Sequence, residues 1–470
     1  MRPTEGTHST NHQSLSRAGA ARSEMCFATK NSPFSMVLAV CILCASFSTT
    51  TPSMSQEARN SSAPTSAYPP AEANARVAWH ARMVALSTPA VGCFVASYPA
   101  IAWHETNCRK VPSHEPGPVP IPQFKRAPSP GSEQVGSGPE ISASSPFGPI
   151  TWAEGSFPRA IVQSVSTVSA TSKNPGAFSL QLNSAPFTSA ACMNAKDPTH
   201  CQGWAQFVVV TGAVAYAYIE YWLLGFDNPC TDAPPLPNVA ESGPWLTPID
   251  TPGDCVFDTP TVEMDALNVA SLGAISVIGA AAIGKNDTIV MTTPDGVLHA
   301  QSYPDSILGL AYNWKTVEFN IFGFSGRRMA VFNAGAQLLV QIRLKYGFPD
   351  SPILGTMSFT GETNNLTLGF PGCSFVGQPP SIQFDEAFDP SVLSFKCPPV
   401  LTSQPIKPPP LNFCALLHAE VLNDQNGLLA AQNACHAPNT FLPACEKSVQ
   451  AAQETLDTAA HLYVKRCSAP

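Results

Sequence analysis

Short runs of alternating apolar and polar residues dominate the chain between residues 146 and 400. Examples are Phe178-Ser-Leu-Gln-Leu-Asn, Val317-Glu-Phe-Asn-Ile-Phe and Gln337-Leu-Leu-Val-Gln-Ile-Arg, and Gly, Pro, Asn and Asp separate such runs. Because successive side chains of a strand point to opposite faces, this period of two predicts many short strands. With turn signals between them and no helical period, they predict an antiparallel β-sandwich over residues 146–400.

The pattern changes after Lys407-Pro-Pro-Pro. In residues 445–467 apolar side chains recur every three or four positions, as at Val449, Leu456 and Tyr463, which is the period of a helix. A preceding Ala/Leu/Gln-rich stretch, 412–434, has a similar length. We therefore predict a helical hairpin over residues 411–467, stapled by disulfides from Cys435 to Cys445 and from Cys414 to Cys467.

The first 145 residues are patterned differently. An apolar segment, 34–48, follows Arg22 and Lys30 and ends in small residues, which is typical of a secretory signal. We predict a leader over residues 1–50 and an extracellular or periplasmic protein, the alternative being an uncleaved anchor. Residues 51–145 are rich in Ser, Pro, Ala and Gly, which predicts a linker. Within it, Cys93 and Cys108 are expected to close a small packed element.

The cysteines agree with export. Of the 15 cysteines, three fall in the leader, which leaves 15 − 3 = 12. An even number in an exported chain indicates disulfides, and short loops favour local pairing, although order alone does not prove connectivity. Outside the hairpin, the expected pairs are Cys93–Cys108, Cys192–Cys201, Cys230–Cys255 and Cys373–Cys397. No pair has zinc-ligand spacing, so we expect no metal and no cofactor.

Two apolar stretches, 207–224 and 266–284, are long enough to be considered as membrane spans. Against this, Gly212 interrupts the first, Glu220 would be costly in lipid, and no Lys or Arg flanks it. We therefore interpret them as buried strands and expect no stable span after the leader is removed. The net charge of −8 and the scattered Lys and Arg also exclude a basic surface, so no nucleic-acid partner is expected.

Read as strands, three segments each place aromatic and polar side chains on a single face. These sets are Trp204 with Gln206; Tyr218, Glu220 and Trp222; and Trp314, Glu318 and Asn320. On one sheet, they would form an aromatic-walled groove with carboxylates and amides on its floor. The alternative is that Gln206, Glu220 and Glu318 are ordinary hydrogen-bonded, solvent-facing positions of a sheet.

The predicted groove suggests a chemistry. A carboxyl group among aromatic side chains loses hydration, which raises its pKa and lets it transfer protons under mildly acidic conditions. A neighbouring amide can orient a water molecule and donate a hydrogen bond to an oxyanion. Gln206 with Glu318 therefore suits the attack of water on an acyl group, whereas Glu220 facing Glu318 would suit glycoside cleavage. The sequence has no GxSxG motif and no phosphate-binding loop.

The same residues resemble a known family. Gln206-Phe-Val-Val-Val-Thr-Gly, Ala217-Tyr-Ile-Glu-Tyr-Trp, Lys285-Asn-Asp-Thr-Ile and Thr316-Val-Glu-Phe-Asn-Ile are similar, in the same order, to segments of the glutamic peptidases, or eqolisins. The resemblance covers about residues 146–345. It implies a concanavalin-like sandwich of the jelly-roll type, formed by two curved antiparallel sheets. It also implies a catalytic pair, with Glu318 as general base and acid and Gln206 stabilising the tetrahedral intermediate.

These observations leave three hypotheses. The first is a secreted, acid-acting peptidase of the glutamic type, or a diverged relative, that acts on a polypeptide. Its substrate-binding residues would be Trp204, Tyr218, Glu220, Trp222, Trp314 and Asn320. The second is a non-catalytic protein that binds a glycan or a cell wall through Trp204, Trp222 and Trp314. The third is a structural protein of the cell envelope.

Overall fold

The computed structural model of this chain describes residues 68–112, 141–168, 173–237, 239–248, 251–323, 329–347, 351–355, 360, 364–393, 397, 450 and 453. The leader over residues 1–50 lies outside them, and so does the helical hairpin over 411–467 apart from positions 450 and 453. Both remain predictions.

The described part of the chain contains twenty strands and two α-helices. The strands are β1 (Gly92–Ala96), β2 (His104–Thr106), β3 (Ser142–Ser144), β4 (Trp152–Ile161), β5 (Val165–Val168), β6 (Lys173–Pro175), β7 (Ser179–Ser184), β8 (Gln202–Val210), β9 (Ala215–Leu224), β10 (Cys255–Asp258), β11 (Val262–Met264), β12 (Ser276–Ala281), β13 (Asn286–Thr292), β14 (Leu298–Pro304), β15 (Thr316–Phe322), β16 (Met329–Phe332), β17 (Gln337–Lys345), β18 (Ile353–Gly355), β19 (Thr367–Phe375) and β20 (Ser381–Ala387). The helices are α1 (Pro70–Met83) and α2 (Leu310–Asn313).

The strands form antiparallel sheets. One sheet has nine strands in the order β19-β20-β17-β4-β12-β13-β14-β1-β2. Another has eight, including β10-β9-β8-β7-β15-β3-β18 and β11, which pairs with β9. Strands β16, β5 and β6 form a small third sheet. A mainly β protein with antiparallel sheets is thus confirmed, and the arrangement is consistent with a sandwich.

The core lies between the two large sheets, where the apolar positions of the alternating strands meet. The Phe319 ring of β15 packs against that of Phe157 in β4, with ring centroids 5.2 Å apart. Phe207 of β8 lies against β12 so closely that a Cβ atom at Gly279 would stand 2.6 Å from its ring. Glycine is therefore required where Phe207 crosses β12.

Part of the region expected to be a linker belongs to the fold. Strand β1 pairs with β14, which makes it a member of the nine-stranded sheet. Helix α1 begins with Pro70 in its first turn and buries Trp79 and Met83, which lie four residues apart, in a cluster with Phe94 of β1. The folded part therefore starts before residue 146. Strand β1 lies in the small packed element expected at Cys93 and Cys108, whereas the 14-residue helix α1 was not expected in this Ser- and Pro-rich region.

Four disulfides join Cys93 to Cys108, Cys192 to Cys201, Cys230 to Cys255 and Cys373 to Cys397. The local pairing predicted from the sequence is confirmed for all four. Closing loops of this size stabilises a fold by about 3 kcal/mol each in the chain-entropy view. Such a set is typical of extracellular proteins. Within the described ranges, no helix is both long and apolar enough to cross a membrane.

Candidate functional site

Polar side chains form one continuous row across the eight-stranded sheet. Strand register pairs Asp258 with Glu220, Glu220 with Gln206, Gln206 with Asn183, Asn183 with Glu318, and Glu318 with Ser142. Directly paired residues of antiparallel strands point to the same face. We call this set the polar row. Neighbouring Phe207 points toward β12, so the polar row occupies the face directed away from the nine-stranded sheet.

The two predicted catalytic residues lie in this row, with one strand between them. Gln206 is on β8 and Glu318 is on β15, and β7 lies between them. Asn183 of β7 contacts both: its Nδ2 donates to Glu318 Oε1 at 3.0 Å, and its Oδ1 accepts from Gln206 Nε2 at 3.2 Å. A single amide therefore links the pair.

The amide of Gln206 is fully engaged by protein groups. Gln206 Nε2 donates to Gln181 Oε1 at 2.9 Å as well as to Asn183, so both hydrogens of the amide nitrogen have acceptors. Its Oε1 accepts from the indole nitrogen of Trp222 at 2.9 Å. Three neighbours thus fix the orientation of this side chain.

Glu318 Oε1 accepts two hydrogen bonds. One comes from Asn183, and the other comes from the Thr360 hydroxyl at 3.1 Å. Asn364, further along the chain, donates its Nδ2 to the carbonyl oxygen of Ile321 at 3.2 Å. Thr360 and Asn364 therefore both contact β15, and the Thr360 hydroxyl lies on the candidate catalytic carboxyl group.

Glu220 occupies a similar position on β9. The Trp222 indole nitrogen, which also donates to Gln206, donates to Glu220 Oε1 at 2.7 Å. Burial raises the pKa of Tyr218 well above its usual value, and the neighbouring charge of Glu220 raises it further. Tyr218 is therefore a neutral phenol beside Glu220, to which it is hydrogen-bonded.

Two other predicted site residues have different surroundings. Asn320 lies on the strand of Glu318 and donates its Nδ2 to Glu386 Oε1 at 2.9 Å. Trp314, by contrast, precedes β15, and its ring centroid lies 5.5 Å from that of Phe207 in the core between the sheets. The prediction that Trp314 shares a face with Glu318 is therefore wrong. The alternation rule fails there because Trp314 follows α2 and is not part of the strand.

The row is closed to solvent from Glu220 to Ser142, and its end at Asp258 is partly exposed. Glu220, Gln206 and Asn183 are 0% exposed and Glu318 is 1% exposed, so the expected open groove is not present in this conformation. Trp204, Trp222 and Trp314 are also 0% exposed, and none of the three indoles presents a face to a glycan. The alternative of solvent-facing sheet positions is excluded by the same values. A cleft of about 280 Å³ lies elsewhere, lined in part by Pro235, Trp245 and Ile307.

Sequence reasoning missed the two amides of β7. Gln181 and Asn183 alternate with Leu180 and Leu182, so the same period-two rule would have placed them on one face. Residues 178–183 were predicted to form a strand, but the sequence does not give the register of this strand against β8 and β15. In the described portion, no three His, Cys, Asp or Glu side chains come together as a metal site requires.

Comparison with known proteins gives limited information. No protein-family model matches this chain, and no curated protein matches it. Among solved structures, it is similar to Scytalido-glutamic peptidase, described as a crystal structure with a peptide-based transition state analog. The identity is 8% and the TM-score is 0.23, and the similarity covers 52% of this chain and 97% of that chain. This is a weak, fold-level link, and it assigns no residue and no activity.

Proposed function

We propose that this protein is a secreted, acid-acting peptidase of the glutamic type, or a diverged relative, with Glu318 and Gln206 as its catalytic pair. The proposal rests on one observation: hydrogen bonds link the side chains of Gln206, Asn183 and Glu318 on one face of one sheet. An amide and a carboxylate held by one shared neighbour are the two groups that water attack on an acyl carbon needs.

In this reaction, Glu318 takes a proton from water as the water oxygen bonds to the carbonyl carbon of a peptide. A Gln206 N–H stabilises the negative charge that develops on the carbonyl oxygen. Glu318 then gives its proton to the leaving nitrogen as the carbon–nitrogen bond breaks. Asn183 and Thr360 orient the carboxylate through Oε1.

The proposal requires the site to open. The Gln206 amide must break its hydrogen bond to Gln181 or the one to Asn183 before it can donate to an oxyanion. The polar row must also become accessible, because Glu318 is 1% exposed. The conformation described here is therefore the closed form of the proposed enzyme.

The test measures how fast the full chain cleaves a denatured protein from pH 2 to 7, and it compares the wild type with the Glu318→Gln variant. We expect acid activity in the wild type and a loss of at least about a hundredfold in the variant, as for the removal of an essential catalytic group. Glu263→Gln is the matched control, because Glu263 is an exposed carboxylate on β11 of the same sheet and should be replaceable without effect.

Circular dichroism of all three proteins is the check that each is folded. Folded wild-type protein without activity at any pH would overturn the proposal and leave the polar row as a structural network. Activity that survives in Glu318→Gln would overturn the assignment of Glu318.

A further inference from the structure

Two carboxyl groups lie together in the core, on the opposite side of the eight-stranded sheet from the polar row. Asp287 is on β13, and Asp305 begins the 3-10 helix Asp305–Ile307 that follows β14. Tyr221 of β9 reaches them from the eight-stranded sheet. Asp287 is 0% exposed and Asp305 is 3% exposed, so bulk water does not solvate either carboxyl group.

One fixed donor forms a hydrogen bond with one oxygen of each carboxyl group. The Tyr221 hydroxyl donates to Asp287 Oδ2 at 2.9 Å, and the Ala311 backbone N–H donates to Asp305 Oδ1 at 2.8 Å. Asp287 Oδ1 is buried and receives no hydrogen bond from any conventional donor. Asp287 pairs with Tyr303 across β13 and β14, and the Asp305 backbone N–H donates to the Lys285 carbonyl oxygen at 3.1 Å, so Asp305 lies diagonally across from Asp287. Two carboxyl groups in this position can hydrogen-bond to each other only when one of them carries a proton.

Two tyrosine side chains face the pair. From β9 the pair faces Tyr221, and from β14 it faces Tyr303, which is the cross-strand partner of Asp287. Burial, followed by the charge of Asp287, raises the pKa of Tyr221 well above its usual value, so this phenol stays neutral. Among the described residues, no Lys, Arg or His is among the groups that shift the pKa of either carboxyl.

We propose that Asp287 and Asp305 share one proton, with Asp287 as its donor, and that this proton makes the fold more stable in acid than at neutral pH. Asp305 is the acceptor because the Ala311 N–H already stabilises its negative charge. Two adjacent buried carboxylates without the proton would repel each other. The proposal is independent of the hydrolysis proposed above.

The direction of the pH effect follows from the burial. Burial, followed by the charge of Asp305, raises the pKa of Asp287 well above its usual value. A group whose pKa is raised in the folded state contributes stability that is fully present below its unfolded pKa, about 3.9. That stability is lost as the pH rises from there through the folded pKa.

The experiment measures the unfolding of the full chain in denaturant from pH 3 to 8, for the wild type and Asp287→Asn. The amide can donate its N–H to Asp305 and accept from Tyr221, so the variant copies the protonated form and cannot ionise. We expect similar stability at pH 3. Above about pH 4, the unfolding constant of the wild type should rise relative to the variant by about tenfold per pH unit, up to the folded pKa.

Asp305→Asn tests the same point from the other partner, and it keeps the test available if Asp287→Asn does not fold. It removes the charge of Asp305 but leaves Asp287 buried, so the pH dependence should become smaller without disappearing. The double variant should behave as Asp287→Asn does, because it has no proton to lose at position 287. Asp265→Asn is the control, since Asp265 is exposed and should leave the slope unchanged. A wild-type-to-variant ratio that does not change with pH would overturn the proposal.

Discussion

The two faces of the eight-stranded sheet bury carboxyl groups in opposite ways. On one face, Glu220 and Glu318 are separated by the amides of Gln206 and Asn183, and indole, hydroxyl and amide groups donate to them. On the other face, Asp287 lies directly beside Asp305, with one phenol and one backbone N–H as donors. In the first arrangement neutral donors contact the carboxyl oxygens, and in the second two carboxyl groups face each other.

This difference shows how a sheet can hold buried acids. A buried carboxyl group whose oxygens accept hydrogen bonds from neutral groups needs no cation to satisfy those oxygens. Two adjacent carboxyl groups cannot both stay charged in a medium of low dielectric constant. The polar row should therefore be sensitive to the loss of a donor, and the carboxyl pair should be sensitive to pH.

The largest expected effect is on the polar row. Asn183→Leu removes a donor from Glu318 and an acceptor from Gln206, and each unsatisfied buried group costs about 1–3 kcal/mol. We expect the free energy of unfolding to fall by about 3 kcal/mol or more, measured by denaturant titration. Gln341→Leu, on the partly exposed β17, is the control and should change it by less than about 0.5 kcal/mol. Equal effects would show that Asn183 does not hold the row together.

The second prediction concerns the carboxyl pair. Tyr221→Phe removes the hydrogen bond to Asp287 Oδ2, which should cost about 1–2 kcal/mol in unfolding experiments. This bond lowers the pKa of Asp287, so it favours the charged form and the cost should be greater at pH 7 than at pH 4. Tyr303→Phe is the comparison, because the Tyr303 hydroxyl contacts Ser242 and its loss should have the same cost at both values. A cost for Tyr221→Phe that is greater at pH 4 than at pH 7 would contradict this effect of the hydrogen bond on Asp287.

A smaller effect is expected at Thr360. Thr360→Val keeps the shape of the side chain and removes one of the two hydrogen bonds to Glu318 Oε1. Because Asn183 still donates to the same oxygen, the free energy of unfolding should fall by only about 1 kcal/mol. A loss as large as that of Asn183→Leu would mean that Thr360 is the principal partner of Glu318.

The smallest effect is expected at an exposed carboxylate. Hydrogen bonds from Thr199 and His200 lower the pKa of Asp197 to about 2. A lowered pKa contributes stability above the unfolded value, and that contribution is lost as the pH falls through the folded pKa. NMR titration should find Asp197 ionising at about 2 in the wild type and higher in Thr199→Ala. An unchanged value in the variant would exclude the hydroxyl as the main cause.

The sequence predicted much of the fold from local patterns. Alternation identified the strands of Gln206, Glu220 and Glu318 and placed these side chains on single faces, and short spacing identified four disulfides. It failed where a residue stood outside a regular strand, as at Trp314. It also failed at helix α1, which lies in a region expected to be a linker. At Trp314 the alternation was extended beyond the end of the strand, and at α1 the composition favoured a linker.

What the sequence determined by itself is the set of faces, since alternation along a strand needs no knowledge of its neighbours. Only the tertiary structure decided which faces meet. The register of β7 between β8 and β15 places Asn183 between Gln206 and Glu318, and the packing of β13 against β9 brings Asp287 to Tyr221. Strand order and burial arise from contacts between residues distant in the chain. They set the surroundings of each carboxyl group, and those surroundings decide its chemistry.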